Sequence, residues 1–264
     1  MAIVTRQAYE YGSSPVIFMQ SESSLSAALH SLFSEHRAWF LEFLTLGDTA
    51  PDDTLTQAEW SQSAHFNQLL ARYSDEIYRE HADMPREAKP LQSLWAQWYF
   101  GLIVPPMMLA LVMEKRALDC SLEHFHLQFH ESGRPAKFWI DVHEDEDARY
   151  LNAQQRIDRL IQQHLIPAVA GIEQHGDINA KLIWNNTGYL MHWFLGEMKS
   201  WVDEATLLSL EHALFFSRHL LDGSDNPLYR TVIPRDGAMQ RRSCCQRYRL
   251  PAVARCGDCT LKPV

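Results

Sequence analysis

Nineteen consecutive residues, from Trp95 to Met113, contain no charged side chain. A stretch of this length meets the threshold for a membrane span. Pro105 and Pro106 stand in its middle, and consecutive prolines break a helix and leave backbone groups without hydrogen bonds, which lipid does not tolerate. The stretch therefore predicts two buried core helices that meet at the prolines, in a chain with no transmembrane span. Peripheral contact with the inner membrane is the weaker alternative.

Apolar residues recur at helical spacing through much of the remaining chain. The pattern predicts helices over Ser21–Leu46, His65–Arg79, Tyr150–Ile172 and Leu207–Leu221, a capping box at Thr56 and Glu59, and an N-cap at Asp177 for one further helix. Alternating residues predict two hairpins, over 124–143 and over 229–242. The expected fold class is α+β, mainly α: a helical core with one or two small antiparallel hairpins and a C-terminal subdomain.

Three histidines, His124, His126 and His130, fall on one face of the first predicted hairpin. Such a row could bind a metal ion, but metal sites usually draw their ligands from several elements. We therefore interpret the row as the polar face of a half-buried hairpin. A further alternative is that this face, together with Trp139, lines a substrate cleft.

Four of the five cysteines, Cys244, Cys245, Cys256 and Cys259, lie in the last 21 residues. The Cys-x-x-Cys brings two sulfurs onto one metal through a tight turn, which Gly257 eases. The adjacent pair suits two bridged irons better than one tetrahedral ion, and four thiolates satisfy a 2Fe–2S cluster. Structural zinc, disulfides and free thiols stay open, because cysteine spacing does not determine the metal. Disulfides fit least, since the sequence shows no secretory leader and a reducing cytosol is expected.

Longer stretches stand out beside the isolated cysteines. They are Arg241-Arg242-Ser243-Cys244-Cys245-Gln246-Arg247-Tyr248-Arg249-Leu250-Pro251, Arg255-Cys256-Gly257-Asp258-Cys259-Thr260-Leu261-Lys262, Ser93-Leu94-Trp95-Ala96-Gln97-Trp98-Tyr99, His124-Phe125-His126, Phe129-His130-Glu131 and Lys181-Leu182-Ile183-Trp184-Asn185-Asn186-Thr187-Gly188-Tyr189-Leu190. Together they resemble the FhuF family of ferric-siderophore reductases, which bind a 2Fe–2S cluster through a Cys-Cys-x10-Cys-x-x-Cys pattern. The resemblance covers most of the chain beyond about residue 20. It implies that Cys244, Cys245, Cys256 and Cys259 bind the cluster and are the catalytic residues.

Charge is divided unevenly along the chain, whose net charge is −9. Residues 228–264 contain eight Arg and Lys against two Asp, so this part carries +6 and the rest carries −15. The acidic balance argues against nucleic-acid binding. Basic groups stabilise a reduced cluster and attract an acidic electron-transfer protein. The predicted docking residues are Arg241, Arg242, Arg247, Arg249 and Arg255; a solvated basic tail is the alternative.

Polar residues interrupt the apolar pattern between Trp184 and Tyr189. Polar groups in a core helix are either paired or face a pocket. We therefore predict Trp184, Asn185 and Asn186, with Trp139, as substrate-binding residues. The sequence shows no phosphate loop or nucleotide fingerprint, so electrons are expected from flavodoxin, ferredoxin or a flavin reductase.

The resemblance implies an oxidoreductase that reduces the Fe(III) of a hydroxamate siderophore by one electron and releases Fe(II) for iron assimilation. Its expected location is the cytoplasm, with peripheral contact at the inner membrane as an addition. The expected division is a loosely ordered segment 1–20, a helical substrate-binding core 21–227 and a cluster-binding segment 228–264. Two other classes stay open: a non-catalytic binding module with a zinc knot, and an iron–sulfur sensor or electron carrier.

Overall fold

The computed structural model describes residues 8–9, 16–17, 23–235, 237–257 and 259–261. The helices are α1 (Leu25–Arg37), α2 (Gln57–Trp60), α3 (Ser63–Ile77), α4 (Ala88–Met113), α5 (Ala153–Leu160), α6 (Ile166–Glu173), α7 (Ala180–Glu197) and α8 (Glu204–Phe215). The strands are β1 (Ala8–Tyr9), β2 (Val16–Ile17), β3 (Leu44–Leu46), β4 (Phe125–Phe129), β5 (Pro135–Ile140), β6 (Val232–Arg235) and β7 (Ala238–Arg241). The mainly helical α+β class is confirmed. The prediction for residues 1–20 falls mostly outside the described residues, within which β1 and β2 pair antiparallel.

Helix α4 runs through the centre of the fold as one continuous helix of 26 residues. It contains Pro105 and Pro106, so the prediction of two helices that meet at the prolines is wrong. The reason is tertiary: α4 contacts α3, α5, α7 and β5, and this packing keeps the backbone helical although two N–H donors are missing. By length and composition α4 could cross a membrane, yet 67% of its most apolar window is buried inside the protein. Its apolar surface therefore belongs to the core.

A small sheet packs beside α4 in the strand order β3–β5–β4. Strands β4 and β5 form the predicted antiparallel hairpin, and Gly133 takes a φ of 82° in its turn. Strand β3 pairs in parallel with β5, residues 44–46 lying opposite residues 138–140. The predicted helix over Ser21–Leu46 is therefore too long, because it ends at Arg37. A 3-10 helix, Ala38–Glu42, follows α1, and the backbone of residues 44–46 then forms hydrogen bonds with the distant strand β5.

Three other helix boundaries depend on local detail. A π-helical turn separates α5 from α6 just before Pro167, where the sequence predicts a kink. Helix α7 is capped by the side chain of Asn179, which accepts a backbone hydrogen bond, and not by Asp177. Helix α8 ends at Phe215 and not at Leu221.

After α8 ends at Phe215, the polypeptide runs back along α8 and α7 before it reaches the cysteines. Asn226 donates hydrogen bonds to the carbonyl oxygens of Leu214 and Ser217 at the end of α8. The predicted hairpin β6–β7 packs on α7. Gly188 permits this approach, because a Cβ there would stand 2.1 Å from Thr231 Oγ1. The contact places β7 against α7, and Cys245, four residues beyond β7, accepts a hydrogen bond from Ser93 in α4.

Candidate metal centre

The four cysteines lie in two irregular segments that follow β7. Cys244 and Cys245 come directly after the hairpin, and Gln246 takes a left-handed conformation with a φ of 65°. Cys245 and Cys259 are buried, whereas Cys244 and Cys256 are half-buried. All four thiols are free. The centre therefore lies just below the protein surface.

Both segments contribute sulfurs to the same place. Cys245 Sγ and Cys256 Sγ lie 3.9 Å apart. The backbone N–H of Gln246 donates to Cys244 Sγ at 3.3 Å, and a backbone hydrogen bond lowers the pKa of Cys259. Hydrogen bonds of this kind favour the thiolate, which is the form that binds metal. The donor set fits the Cys₄ ligation of a 2Fe–2S cluster.

Arg241 is the buried cation of the centre, with 4% of its surface exposed. Its guanidinium donates to Cys256 Sγ at 3.3 Å, to the Ser243 carbonyl oxygen at 2.8 Å and to Asn186 Oδ1 at 3.3 Å. Burial alone would lower the pKa of Arg241, but attraction to the cysteine thiolates and the hydrogen bond to Cys256 raise it above its ordinary value. Arg241 therefore offsets thiolate charge and orients one sulfur through its planar fork.

A buried polar chain ties the cysteine segments to the helical core. Asn186 Nδ2 donates to Ser93 Oγ at 3.1 Å, and Ser93 Oγ donates to the Cys245 carbonyl oxygen at 2.8 Å. Arg241 joins Asn186 to Cys256. The hydrogen-bond network therefore runs from the Cys256 segment through α7 and α4 to the Cys245 segment. Satisfied buried networks of this kind rigidify their surroundings. Asn186 and Ser93 are thus positioning residues for the centre.

A cavity of 410 Å³ opens beside the cysteines, between α4, α7 and the C-terminal cysteine segments. Cys256, Arg241 and Arg247 form its wall on the tail side, and Trp98 and Asn186 belong to its helical walls. A molecule in this cavity would touch a residue of the metal centre directly.

The four predicted substrate-binding residues lie in three different places. Asn186 lines the cavity beside the cysteines. Trp184 and Asn185 line a separate cavity of 310 Å³. Trp139 lies in β5, away from both linings. The structure thus brings one of the four to the metal centre.

Trp98, Thr187 and Arg247 also line the first cavity, although the sequence interpretation did not assign them to a pocket. A signal for Trp98 existed. Ser93 and Gln97 stand four residues apart on one face of a mostly apolar helix. Trp98 follows Gln97 directly in the sequence.

The structure also divides the five predicted docking arginines. Three are exposed: Arg242, Arg249 and Arg255. Arg249 forms an ion pair with Glu87 at the start of α4. Arg241 is buried, and Arg247 is half-buried in the cavity wall. Of the five predicted docking residues, these three are therefore the exposed ones.

The structure does not bring the three predicted histidines together in the way that the sequence pattern suggests. Within the part of the chain that the structure describes, His124 lies with Asp141 and His143, and the ligand atoms of these three all lie within 4.8 Å of one another. His130 hydrogen-bonds with Ser132 instead. Period-two spacing therefore did not identify the residues that meet at the end of the hairpin.

Comparison with known proteins defines the class of this protein. The family described as "Ferric iron reductase FhuF-like transporter" matches residues 93–239, and the family described as "FhuF 2Fe-2S C-terminal domain" matches residues 241–261. The chain belongs to the FhuF family. The second match contains all four cysteines of the centre, and the cofactor is a 2Fe–2S cluster.

One curated relative shows how far the similarity extends. The "Ferric siderophore reductase" of Escherichia coli (strain K12) is 55% identical over 241 residues, which are 91% of this chain and 92% of the relative. The similarity therefore covers nearly the full length of both proteins.

Proposed function

We propose that the protein is a ferric-siderophore reductase, which passes one electron to Fe(III) held in a siderophore. The proposal depends mainly on one observation. Cys256 belongs to the metal centre and also lines the adjoining cavity. The substrate class comes from the family and from the name of the E. coli relative.

The chemistry needs one electron and no bond to the protein. Siderophores hold Fe(III) through hard, anionic oxygens, and we propose that the type used here is the hydroxamate. Fe(II) has a lower charge density, so the same oxygens hold it more weakly. When bound, the 2Fe–2S cluster supplies the single electron. Fe(III) becomes Fe(II), Fe(II) dissociates, and the freed oxygens take up protons from solvent.

The chain's own residues hold and orient the reacting partners. Cys244, Cys245, Cys256 and Cys259 hold the cluster, and Arg241 offsets part of its negative charge. The walls of the cavity keep the substrate against Cys256. In this proposal residues 228–264 act as the cluster-binding segment, and residues 21–227 supply the substrate-binding core.

The electron donor is a separate protein in this proposal: a flavodoxin, a ferredoxin or a flavin reductase. Exposed Arg242, Arg249 and Arg255 form the docking patch, because such carriers present acidic surfaces. With four of the five cysteines assigned to the cluster, one cysteine remains and cannot form a disulfide within the chain, which suits a reducing compartment such as the cytoplasm. Peripheral contact with the inner membrane would still be compatible with the docking patch.

Anaerobically purified protein tests the proposal. We expect the visible absorption of a 2Fe–2S cluster, an electron paramagnetic resonance signal after one-electron reduction, and trapping of Fe(II) by ferrozine when the reduced protein meets a ferric trihydroxamate. Cys259→Ser should lose cluster and activity, whereas Cys120→Ala, at the buried cysteine outside the centre, should keep both.

Two results would contradict the proposal. A colourless protein with one bound zinc would make it a binding module with a zinc knot. A cluster without trapped Fe(II) would make it a sensor or an electron carrier.

A further inference from the structure

Two histidines and two aspartates meet at one end of the β4–β5 hairpin. The ligand atoms of His124, Asp141 and His143 all lie within 4.8 Å of one another. His143 Nε2 lies 2.9 Å from Asp141 Oδ2, and the ring centres of His124 and His143 are 4.4 Å apart. Asp119 Oδ2 lies 3.6 Å from His124 Nε2. The group thus combines imidazole nitrogens and carboxylate oxygens at chelating distance, and none of the four residues lines the cavity beside the cysteines.

Backbone hydrogen bonds hold together the chain segments that supply these side chains. The N–H of Asp141 donates to the carbonyl oxygen of His124, and the N–H of Asp119 donates to that of His143, both at 2.9 Å. Metal sites usually draw their ligands from several elements. The predicted histidine row lay along one strand and did not meet this condition, whereas the group at the end of the hairpin does.

An ion fits among these atoms after small side-chain rotations. Nitrogen and oxygen ligands lie about 2.0–2.2 Å from a transition-metal ion, so neighbouring ligand atoms stand roughly 3–3.5 Å apart. The contact between His143 and Asp141 is already close to this separation. Asp141 and His143 are exposed and His124 is half-buried, and exposed side chains change rotamer within nanoseconds. The three ligand atoms can therefore close around one ion without a change of the backbone.

Charge favours a cation at this end of the hairpin. With neutral imidazoles, Asp119 and Asp141 give the group a charge of about −2. Within the described residues, the ion-pair partners of both aspartates are these two histidines and not a Lys or Arg. Residues 141–147 contain five acidic residues and no Lys or Arg. A divalent ion would neutralise the group, and the surrounding negative potential raises the local concentration of cations.

We propose that His124, Asp141 and His143 bind a divalent first-row metal ion, with the carboxylate of Asp119 beside it. Mixed nitrogen and oxygen ligands suit Fe(II), Mn(II) and Zn(II), whereas Mg²⁺ and Ca²⁺ prefer oxygen ligands alone. Three protein ligands leave open positions for water, and two of the three are exposed, so the ion exchanges with solvent. This site is separate from the 2Fe–2S cluster, whose ligands are cysteines.

The occupant of the site is Fe(II), and this part of the inference rests on the proposed function. Reduction of the siderophore releases Fe(II), so this ion is the member of the class that the protein itself produces. Two histidines and one carboxylate with open positions are also a recurrent ligand set of non-haem Fe(II). The site holds the released ion at the protein surface until an iron acceptor takes it.

Isothermal titration calorimetry with Zn²⁺ tests the site without siderophore or electron transfer. Cluster-loaded protein without a histidine tag should bind one Zn²⁺. His143→Gln and Asp141→Asn should each weaken this binding at least about 10-fold. His219→Gln is the matched control, because His219 is an exposed histidine 3.6 Å from the carboxylate of Asp225, outside the grouped ligands. Its affinity should equal that of the unmodified protein.

X-ray absorption at the zinc edge identifies the ligands independently of affinity. The spectrum should show nitrogen and oxygen neighbours, with the multiple scattering of imidazole. Sulfur neighbours would place the zinc among the cysteines and overturn the proposal. Mg²⁺ should bind at least about 10-fold more weakly than Zn²⁺. Equal binding of the two ions would also overturn the proposal, since a diffuse acidic surface would then explain it.

The variants should remain folded, because exposed ion pairs contribute little to stability. Their melting temperatures and their iron and sulfide contents should equal those of the unmodified protein. No Zn²⁺ binding by the unmodified protein, or unchanged affinity in both His143→Gln and Asp141→Asn, would overturn the metal site.

Anaerobic titration with Fe(II) tests the occupant. Fe(II) should bind more weakly than Zn²⁺, in line with the usual order of affinities, and should lose affinity in the same two variants. Zinc binding without Fe(II) binding would overturn the assignment of Fe(II) to the site. A protein that binds both ions but does not reduce a ferric siderophore would contradict the proposed function and leave the metal site in place.

Discussion

Arg241 offers the sharpest test of the metal centre, because it is a buried cation in contact with a cysteine sulfur. Its Nη2 lies 3.3 Å from Cys256 Sγ, and only 4% of the residue is exposed, so solvent screens its charge little. Arg241→Gln removes this charge and leaves a polar side chain. The reduced cluster carries one more negative charge than the oxidised one, so losing Arg241 should lower the midpoint potential.

The size of the effect follows from the geometry around Cys256. With a separation of about 5 Å between the guanidinium and the added charge, and an effective dielectric constant of about 20, Coulomb's law gives about 3 kcal/mol. Spreading the added electron over the whole cluster reduces this to about 1.5–3 kcal/mol, which is roughly 65–130 mV for a one-electron couple. The expected change is a shift of that size to a more negative potential.

A potentiometric titration followed by visible absorption measures this shift. Iron and sulfide content must first show that Arg241→Gln binds a full cluster. Arg241→Lys keeps the charge without the planar fork and should shift the potential less. Arg235→Gln is the control for net charge, since Arg235 is exposed on the same hairpin and screened by solvent.

The reasoning about Arg241 is refuted by a fully loaded Arg241→Gln protein whose potential lies within about 20 mV of the unmodified value. An equal shift in Arg235→Gln would also refute it, because net charge would then explain the effect without burial.

The other predictions concern the fold and the docking patch. Gly188→Ala should lower the free energy of unfolding by about 1–3 kcal/mol in urea, because its Cβ would stand 2.1 Å from Thr231 Oγ1; unchanged stability would contradict the close packing of the tail. Oxidative removal of the cluster should lower the melting temperature by about 5 °C or more, since the energy of metal binding is also folding energy. Burial lowers the pKa of His164 from 6.5 to about 4, so the unfolded chain binds the extra proton between these values. Stability is then complete above pH 6.5 and falls by about 1.4 kcal/mol per pH unit as the pH drops towards 4, a slope that His164→Gln should flatten. Arg249→Gln should change stability by less than about 1 kcal/mol, because its pair with Glu87 is partly exposed, yet it should raise the KM for the protein donor at low salt.

The cysteine spacing alone left the metal open, and the resemblance to the FhuF family predicted the 2Fe–2S cluster, which the family match confirms. Local pattern was sufficient for most element types. The capping box at Thr56 and Glu59 is present as predicted. Such features could be predicted because each depends on residues within a few positions along the chain.

The amino-acid sequence alone identified the family, the cluster and the helical class, whereas tertiary packing brings the parts of the centre together. Helix α4 passes through Pro105 and Pro106 because its neighbours enclose it. The link from Ser93 through Asn186 to Arg241 joins residues more than 50 positions apart, and no local pattern encodes it. Its members act together only because α4, α7 and the tail meet, since hydrogen bonds between distant residues form only after packing has brought the residues together.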